Sequence, residues 1–246
     1  MPQKRLRIFA GPNGSGKSSL LEIIPGSVPL GYYINADEIE KQIASGLDIP
    51  LSTYGISSNS DVFYSFLENS DFVKIKSDME SLSNMFTIRN NVIKTKTSNL
   101  PPKYSAAIIS DFIREENLNK GNDFSFEAEM SHSKKIDFIR RANSNGYHVY
   151  LYYISTDDVR VNVERVKTRV RNGGHQVPEN KIKERYLRSL DLLYDALKIC
   201  YKSYLFDNSD KTIEIARIDR DRKMYILVPR PLIPNWIIKY VIFRSV

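Results

Sequence analysis

The stretch GPNGSGKS, residues 11–18, fits the pattern G-x-x-x-x-G-K-[ST] of a phosphate-binding loop, or P-loop. The apolar run before it, residues 6–10, is typical of a short buried strand. Residues 19–24 after it are typical of a helix, which Pro25-Gly26 would end. The order matters because glycines let successive backbone N–H groups face one anion, and the next helix adds its positive dipole end. The stretch therefore predicts a phosphate site.

Two side chains of this stretch would act on the phosphates. Lys17 would reach the β- and γ-phosphates, and the hydroxyl of Ser18 would bind Mg²⁺. A glycine-rich turn that binds nothing is the alternative, but the strand, loop and helix stand in the order that a phosphate site needs. The predicted nucleotide-binding residues are Gly11, Pro12, Asn13, Gly14, Ser15, Gly16, Lys17, Ser18 and Ser19.

Composition limits the classes of protein that the chain can belong to. Its 246 residues are 41% hydrophobic, enough for a sizeable core. The net charge of +7 favours anionic partners, and a nucleotide satisfies it; the lysines and arginines are dispersed, so nucleic acid is not favoured. Cys200 is the single cysteine, which excludes an internal disulfide and favours a core position. Without an apolar leader or membrane-length run, we expect a cytoplasmic protein that does not enter a membrane.

The order of the predicted elements indicates an α/β fold. Strands alternate with helices, which is typical of a mostly parallel sheet flanked by helices, and ligands bind beyond the carboxyl ends of such strands. Residues 48–102 break this rhythm and are expected to form an insertion, with weak helical patterns at 62–67 and 79–86. After the loop, the predicted strands are 32–34, 123–127, 147–154 and 203–206, followed by a hairpin of 213–218 and 223–228. The predicted helices are 38–44, 104–118, 134–145, 159–171 and 178–202.

Two carboxylates lie at or just after the carboxyl ends of predicted strands and so belong to the phosphate side of the sheet. Asp37 could accept a proton from a substrate hydroxyl, hold Mg²⁺ through water, or simply cap the next helix. Glu127 follows an apolar run, so its partly desolvated charge needs a partner, which could be Mg²⁺, a substrate group or Lys17. An exposed Glu127 that points into water is the alternative.

The predicted helix 159–171 presents basic residues beside an apolar stripe of valines. Arg165 and Arg169 are four residues apart and Arg171 lies on the other flank, so these arginines could stabilise a transferring phosphoryl group or form a solvated face. The glycines after them suit a lid over about 159–190 that closes on the nucleotide. Candidate substrate contacts are His132, His175 and Arg185, together with Asp37 and Glu127. Either histidine could equally be structural.

These motifs, taken together, resemble the zeta-toxin family of P-loop kinases, in its chromosomal zeta-like branch. The likeness extends over most of the chain outside about 48–102. The chain departs from the family pattern at Ala128-Glu129, where the family usually has threonine after the glutamate, and in its longer segment 48–102. The matching pieces are residues 11–18, 34–39, 124–127, 131–132, 165–166, 169–170, 173–178, 185–186 and 206–209, with 234–236 in the tail.

The resemblance implies one P-loop kinase-like domain over 1–246. It implies a kinase that uses ATP or GTP with Mg²⁺ and phosphorylates a hydroxyl of a small molecule. The substrate of the family is a UDP-linked amino sugar, and a small antitoxin holds several members in check. Asp37 would be the general base and Glu127 the substrate-binding acid. Arg165, Arg169 or Arg171 would clamp the phosphates.

Two other functions stay open at this point. The chain could be a nucleotide-binding module or slow NTPase that signals to a protein partner, with 48–102 as its docking surface. It could also be a nucleic-acid kinase or binder, which its basic balance alone suggests.

Overall fold

The computed structural model describes residues 2–24, 26, 28–70, 85–96, 100–172 and 177–244. The chain divides into two compact units, the first formed by residues 1–29 and 125–246 and the second by 30–124. The strands are β1 (Lys4–Ala10), β2 (Tyr32–Ile34), β3 (Ile49–Pro50), β4 (Phe86–Arg89), β5 (Val92–Thr95), β6 (Phe124–Ala128), β7 (Tyr147–Ser155), β8 (Lys202–Asp207), β9 (Ile213–Ile218) and β10 (Met224–Ile226). The helices are α1 (Lys17–Ile23), α2 (Ala36–Ala44), α3 (Ser60–Asn69), α4 (Pro102–Lys120), α5 (Lys134–Ser144), α6 (Val159–Arg171), α7 (Glu179–Ile199) and α8 (Asn235–Ile237).

The main sheet of the first unit positions the predicted phosphate loop. Six of its strands lie in the order β10-β9-β8-β7-β1-β6. Strands β1, β7 and β8 run parallel, while β9 and β10 form the predicted antiparallel hairpin. Ala10 is paired with Tyr153, and Ile154 with Phe206, so the loop after β1 begins at the carboxyl ends of two neighbouring strands. The predicted mostly parallel α/β sheet is confirmed.

One face of this sheet is packed against helices. Phe126 of β6 contacts Phe138 of α5 edge-on at 5.6 Å, and Tyr153 of β7 contacts Trp236 at 5.8 Å. The Tyr153 hydroxyl also lies 3.0 Å from the hydroxyl of Ser189 on α7. Because side chains alternate across a strand, the residues next to these, including Glu127, point to the opposite face.

The second unit has its own small sheet and aromatic core. Strands β3, β5 and β4 pair antiparallel in that order. The ring of Phe63 on α3 meets those of Phe86 and Phe112 edge-on, at 5.5 and 4.9 Å between centroids. The helical pattern at 62–67 is confirmed, since it lies within α3. Most of the other pattern, 79–84, lies outside the described residues; at its end the prediction is wrong, because Phe86 begins β4.

The long helix of the first unit ends earlier than predicted. It was expected to reach about Lys202, but α7 ends at Ile199 because Cys200 adopts an extended backbone and Lys202 begins β8. Cys200 is fully buried, as expected, and burial raises the pKa of its thiol to about 12. Of the helices that the structure describes, none combines the length and the apolar character needed to cross a membrane.

Candidate phosphate-binding site

The predicted P-loop is a tight turn between β1 and α1. The Gly11 N–H donates to the carbonyl of Ala128 at 3.2 Å, and the Ser15 N–H donates to that of Pro12 at 3.2 Å. Gly16 directly precedes α1 with a φ of 98°, a left-handed conformation that favours glycine. A Cβ at that position would also overlap the side-chain amide of Asn208. The strand–loop–helix order expected for phosphate binding is therefore present.

The side chain of Lys17 lies over this loop. Lys17 is the first residue of α1, and its Nζ donates to the carbonyls of Gly11 at 3.0 Å and Pro12 at 3.1 Å. The ammonium group is thereby kept at the start of the helix, beside the positive end of its dipole. An anion placed there would meet both charges.

The hydroxyl of Ser18 lies against the carboxylate of Glu127. Its Oγ is 3.2 Å from one carboxylate oxygen and 3.4 Å from the other. Glu127 is half-buried in β6, which agrees with the expectation that its charge needs a partner. A hydroxyl and a carboxylate are suitable ligands for Mg²⁺. Among the described residues no group of three or more His, Cys, Asp or Glu could hold a metal, so a cation here would need phosphate or water oxygens as well.

Two asparagines that sequence reasoning did not place at the loop make direct contact with it. Asn162 of α6 donates from Nδ2 to the carbonyl of Asn13 at 2.7 Å, and Asn208 donates from Nδ2 to that of Ser15 at 2.8 Å. Asn208 directly follows β8, so the rule that ligands bind at the strands' carboxyl ends pointed to its region. Nothing in the sequence distinguishes Asn162, a polar residue on a helix with an apolar stripe.

Of the three candidate arginines on α6, Arg165 is brought to this region. Its Nη1 donates to the Asn208 carbonyl at 2.8 Å, and the side chain is partly buried. Arg169 and Arg171 are exposed and lie in the last turn of α6. The valine stripe of the same helix packs against Ile182 of α7. A phosphate contact by any of these arginines stays a prediction.

The segment after β6 holds a charged pair. Arg185 of α7 forms an ion pair with Glu129 at 3.2 Å, and the carbonyl of Glu129 accepts a bond from Ser189 Oγ at 2.9 Å. Within the described residues the other carboxylate oxygen of Glu129 is buried without a hydrogen-bond partner. The next residue, Met130, is buried with a φ of 53°, an uncommon conformation for a side chain of that size. Arg185, which we expected to contact substrate, is thus held beside the segment that follows β6.

The two candidate histidines have different outcomes. His132 is exposed, and its Nδ1 accepts the Lys134 backbone N–H at 3.3 Å at the start of α5. Ser133, the N-cap residue of this helix, makes no side-chain capping bond. His175 lies outside the described residues.

In the second unit, Asp37 lies in the first turn of α2 and is exposed. The cap of that helix is Asn35, whose Oδ1 accepts the Asp37 N–H at 2.9 Å. Capping therefore does not account for the Asp37 carboxylate. Its predicted role as a base or metal ligand stays a prediction.

Comparison with known proteins gives a likeness of fold. No protein-family model matches the chain. An uncharacterized protein of Haemophilus influenzae is 38% identical over 63 residues, which are 26% of this chain and 45% of that protein. The structure of the AvrRxo1-ORF1:-ORF2 complex with ATP matches with a TM-score of 0.50 at 15% identity, over 92% of this chain and 61% of that one. The complex with sulphate ions matches over the same shares at 15% identity with a TM-score of 0.51. A structure of the PezAT chromosomal toxin-antitoxin system of Streptococcus pneumoniae has a TM-score of 0.48 at 11% identity, over 87% of this chain and 72% of that one.

The two AvrRxo1 matches define the class of fold. The chain shares the α/β fold of those structures, with the mostly parallel sheet that the sequence predicts. It spans 61% of the AvrRxo1 chain, and its matched stretch is less than half of the Haemophilus protein.

Proposed function

We propose that this chain is a phosphotransferase that moves the γ-phosphoryl group of ATP or GTP to a hydroxyl group of a small molecule. The observation that supports it most directly is the P-loop with the Ser18 hydroxyl against the Glu127 carboxylate. The chain shares its fold with the AvrRxo1-ORF1:-ORF2 complex, and one structure of that complex contains ATP. This likeness is consistent with the proposed reaction.

The first unit supplies the groups that bind and neutralise phosphate. Backbone N–H groups of the loop and the Lys17 ammonium would hold the β- and γ-phosphates. Ser18 and Glu127 would hold Mg²⁺, which when bound neutralises charge on the phosphate oxygens. Arg165, whose Nη1 donates to the carbonyl of Asn208, would reach toward the same phosphates.

We propose Asp37 as the general base. Asp37 lies two residues after Asn35, the cap of the helix that follows β2, and it is exposed. It would accept the proton of the acceptor hydroxyl as the oxygen attacks the γ-phosphorus. The Arg185–Glu129 pair and His132 are proposed acceptor contacts.

The acceptor and the protein partner are proposed from the resemblance. A UDP-linked amino sugar is the first acceptor to test, and a small antitoxin is the first partner to seek. That the AvrRxo1 structures contain a second protein, ORF2, is consistent with a chain that works under a partner's control.

The test is phosphate transfer from labelled ATP to a metabolite panel that includes nucleotide sugars. Asp37→Asn is expected to lose transfer by about a hundredfold or more while ATP binding persists, because a general base contributes roughly 10²–10⁴-fold. Asp61→Asn is a matched control, since Asp61 lies in the first turn of α3, where Asn59 caps the helix as Asn35 caps α2. Full transfer by Asp37→Asn would remove Asp37 from the base role. ATP hydrolysis with no labelled acceptor in any extract would favour the NTPase module instead.

A further inference from the structure

Two asparagine side chains, which we call the asparagine clamp, donate hydrogen bonds to backbone carbonyls of the phosphate loop. Asn162 is fully buried on α6 and binds the Asn13 carbonyl at 2.7 Å; Asn208 follows β8 and binds the Ser15 carbonyl at 2.8 Å. The two contacts are two residues apart along the loop and come from separate elements of the first unit. Both amides donate from nitrogen to a backbone oxygen.

A threonine hydroxyl sets the orientation of each amide. Thr156 donates to Oδ1 of Asn162, and Thr212 donates to Oδ1 of Asn208 at 2.9 Å. Because each amide oxygen is occupied by a hydroxyl donor, each amide nitrogen faces the loop. Asn208 is held further, since its N–H donates to the Ser155 carbonyl at 2.8 Å.

The geometry of the peptide bond connects these contacts to phosphate binding. A trans peptide unit is planar, and its C=O and N–H point in opposite directions. The Asn13 carbonyl belongs to the same unit as the Gly14 N–H, and the Ser15 carbonyl to the same unit as the Gly16 N–H. Because the asparagines bind the two carbonyls on one side of the loop, the two glycine N–H groups point to the opposite side.

The glycines themselves show how closely the asparagines approach. Gly14 and Gly16 have φ angles of 78° and 98°. A Cβ on Gly14 would lie 2.5 Å from the Asn162 backbone oxygen, and one on Gly16 would overlap the Asn208 amide. Within the described residues, neither glycine N–H has a backbone acceptor, so both are available to a ligand.

We propose that Asn162 and Asn208 are positioning residues that turn the N–H groups of Gly14 and Gly16 toward bound phosphate. The inference rests on the proposed nucleotide site and extends it to residues outside the motif. The loop is then arranged before the nucleotide arrives, so binding does not have to order it. Arg165, a candidate phosphate ligand, donates to the Asn208 carbonyl, so Asn208 also fixes the position of Arg165 relative to the loop.

The first measurement is the affinity for ATP and for inorganic pyrophosphate by titration calorimetry. Asn162→Ala and Asn208→Ala are each expected to weaken both ligands about five- to tenfold, as the loss of one well-placed hydrogen bond implies. Asn235→Ala is the matched control, because the Asn235 amide donates to Asp157 at 2.7 Å in the same unit and does not contact the loop. It should bind both ligands within about twofold of the wild type. If either alanine variant fails to fold, the Asn→Leu change removes the amide donor at a similar volume without adding charge.

The second measurement needs no ligand and separates this proposal from the proposed function. Labelling with ¹⁵N-glycine gives one amide signal for each of eleven glycines. Asn162→Ala should move the Gly14 signal and Asn208→Ala the Gly16 signal, while Asn235→Ala moves neither. Unchanged Gly14 and Gly16 signals overturn the clamp whatever the affinity does, and so does wild-type affinity in both alanine variants. If the wild-type protein binds no nucleotide while Asn162→Ala and Asn208→Ala still shift the Gly14 and Gly16 signals selectively, the clamp is supported and the proposed function is refuted.

Discussion

The indole of Trp236 joins the C-terminal segment to the end of strand β8. The side chain is 2% exposed, and its Nε1–H donates to Asp207 Oδ1 at 2.9 Å. Its backbone N–H donates to Asp157 at 3.0 Å. Replacing Trp236 with phenylalanine keeps an aromatic ring beside Tyr153 but removes the donor to Asp207.

The expected cost follows from the type of bond and its surroundings. A hydrogen bond to a charged group contributes about 1.5–3 kcal/mol. The smaller ring also leaves space in a packed region, which adds a cost on the order of 1 kcal/mol. Trp236→Phe should therefore lower the free energy of unfolding by about 3 kcal/mol. Asp207 would keep two hydrogen bonds from Ser209, one from the N–H at 2.9 Å and one from Oγ at 3.2 Å. Because the carboxylate keeps these donors, we do not expect a larger loss of stability.

Urea unfolding followed by far-ultraviolet circular dichroism measures this change. Fluorescence is unsuitable because Trp236 is the only tryptophan. Tyr225→Phe is the matched control, since the Tyr225 hydroxyl also donates to a carboxylate, Asp219 at 3.1 Å, but on the surface. Its cost should stay within about 0.5 kcal/mol. A loss below about 0.5 kcal/mol for Trp236→Phe at unchanged m-value, or an equal loss in the control, would refute the reasoning.

Three further predictions concern other groups. Burial raises the pKa of the Cys200 thiol from 9.0 to about 12, so the unfolded chain loses this proton first. Stability should therefore fall by about 1.4 kcal/mol per pH unit between about pH 9 and pH 12. Urea midpoints measured against pH should decline less steeply in Cys200→Ala, and equal slopes would contradict the assignment. Ser18→Ala and Glu127→Gln should each weaken Mg²⁺ binding to the ATP-loaded protein about tenfold or more, and a calorimetric Mg²⁺ titration unchanged by both would remove them as ligands. Arg185→Gln leaves the Glu129 carboxylate without its cation and should cost about 1 kcal/mol; a double-mutant cycle with Glu129→Gln should show coupling of that size, and additive losses would show that the pair contributes nothing.

The sequence could predict the elements whose signals are local. The loop at 11–18 was predictable because its glycines and Lys17 must be contiguous for the backbone to surround an anion. The strand that contains Glu127 and the helix that contains Arg165 followed from apolar periods of two and 3.6 residues. Their boundaries were less certain: α7 stops at Ile199 because Cys200 turns to enter the sheet, and no local pattern marks that turn.

The sequence by itself determined that an anion-binding turn stands between a strand and a helix in an α/β chain, because that information is written in adjacent residues. Only the tertiary structure decided which distant side chains reach the turn. Asn162 and Asn208 lie 149 and 193 residues from the carbonyls they bind. The contact of Ser18 with Glu127 likewise spans 109 residues. Such pairs depend on strand order and register in the sheet, which set distances between residues remote in the chain and leave no period or spacing in the sequence.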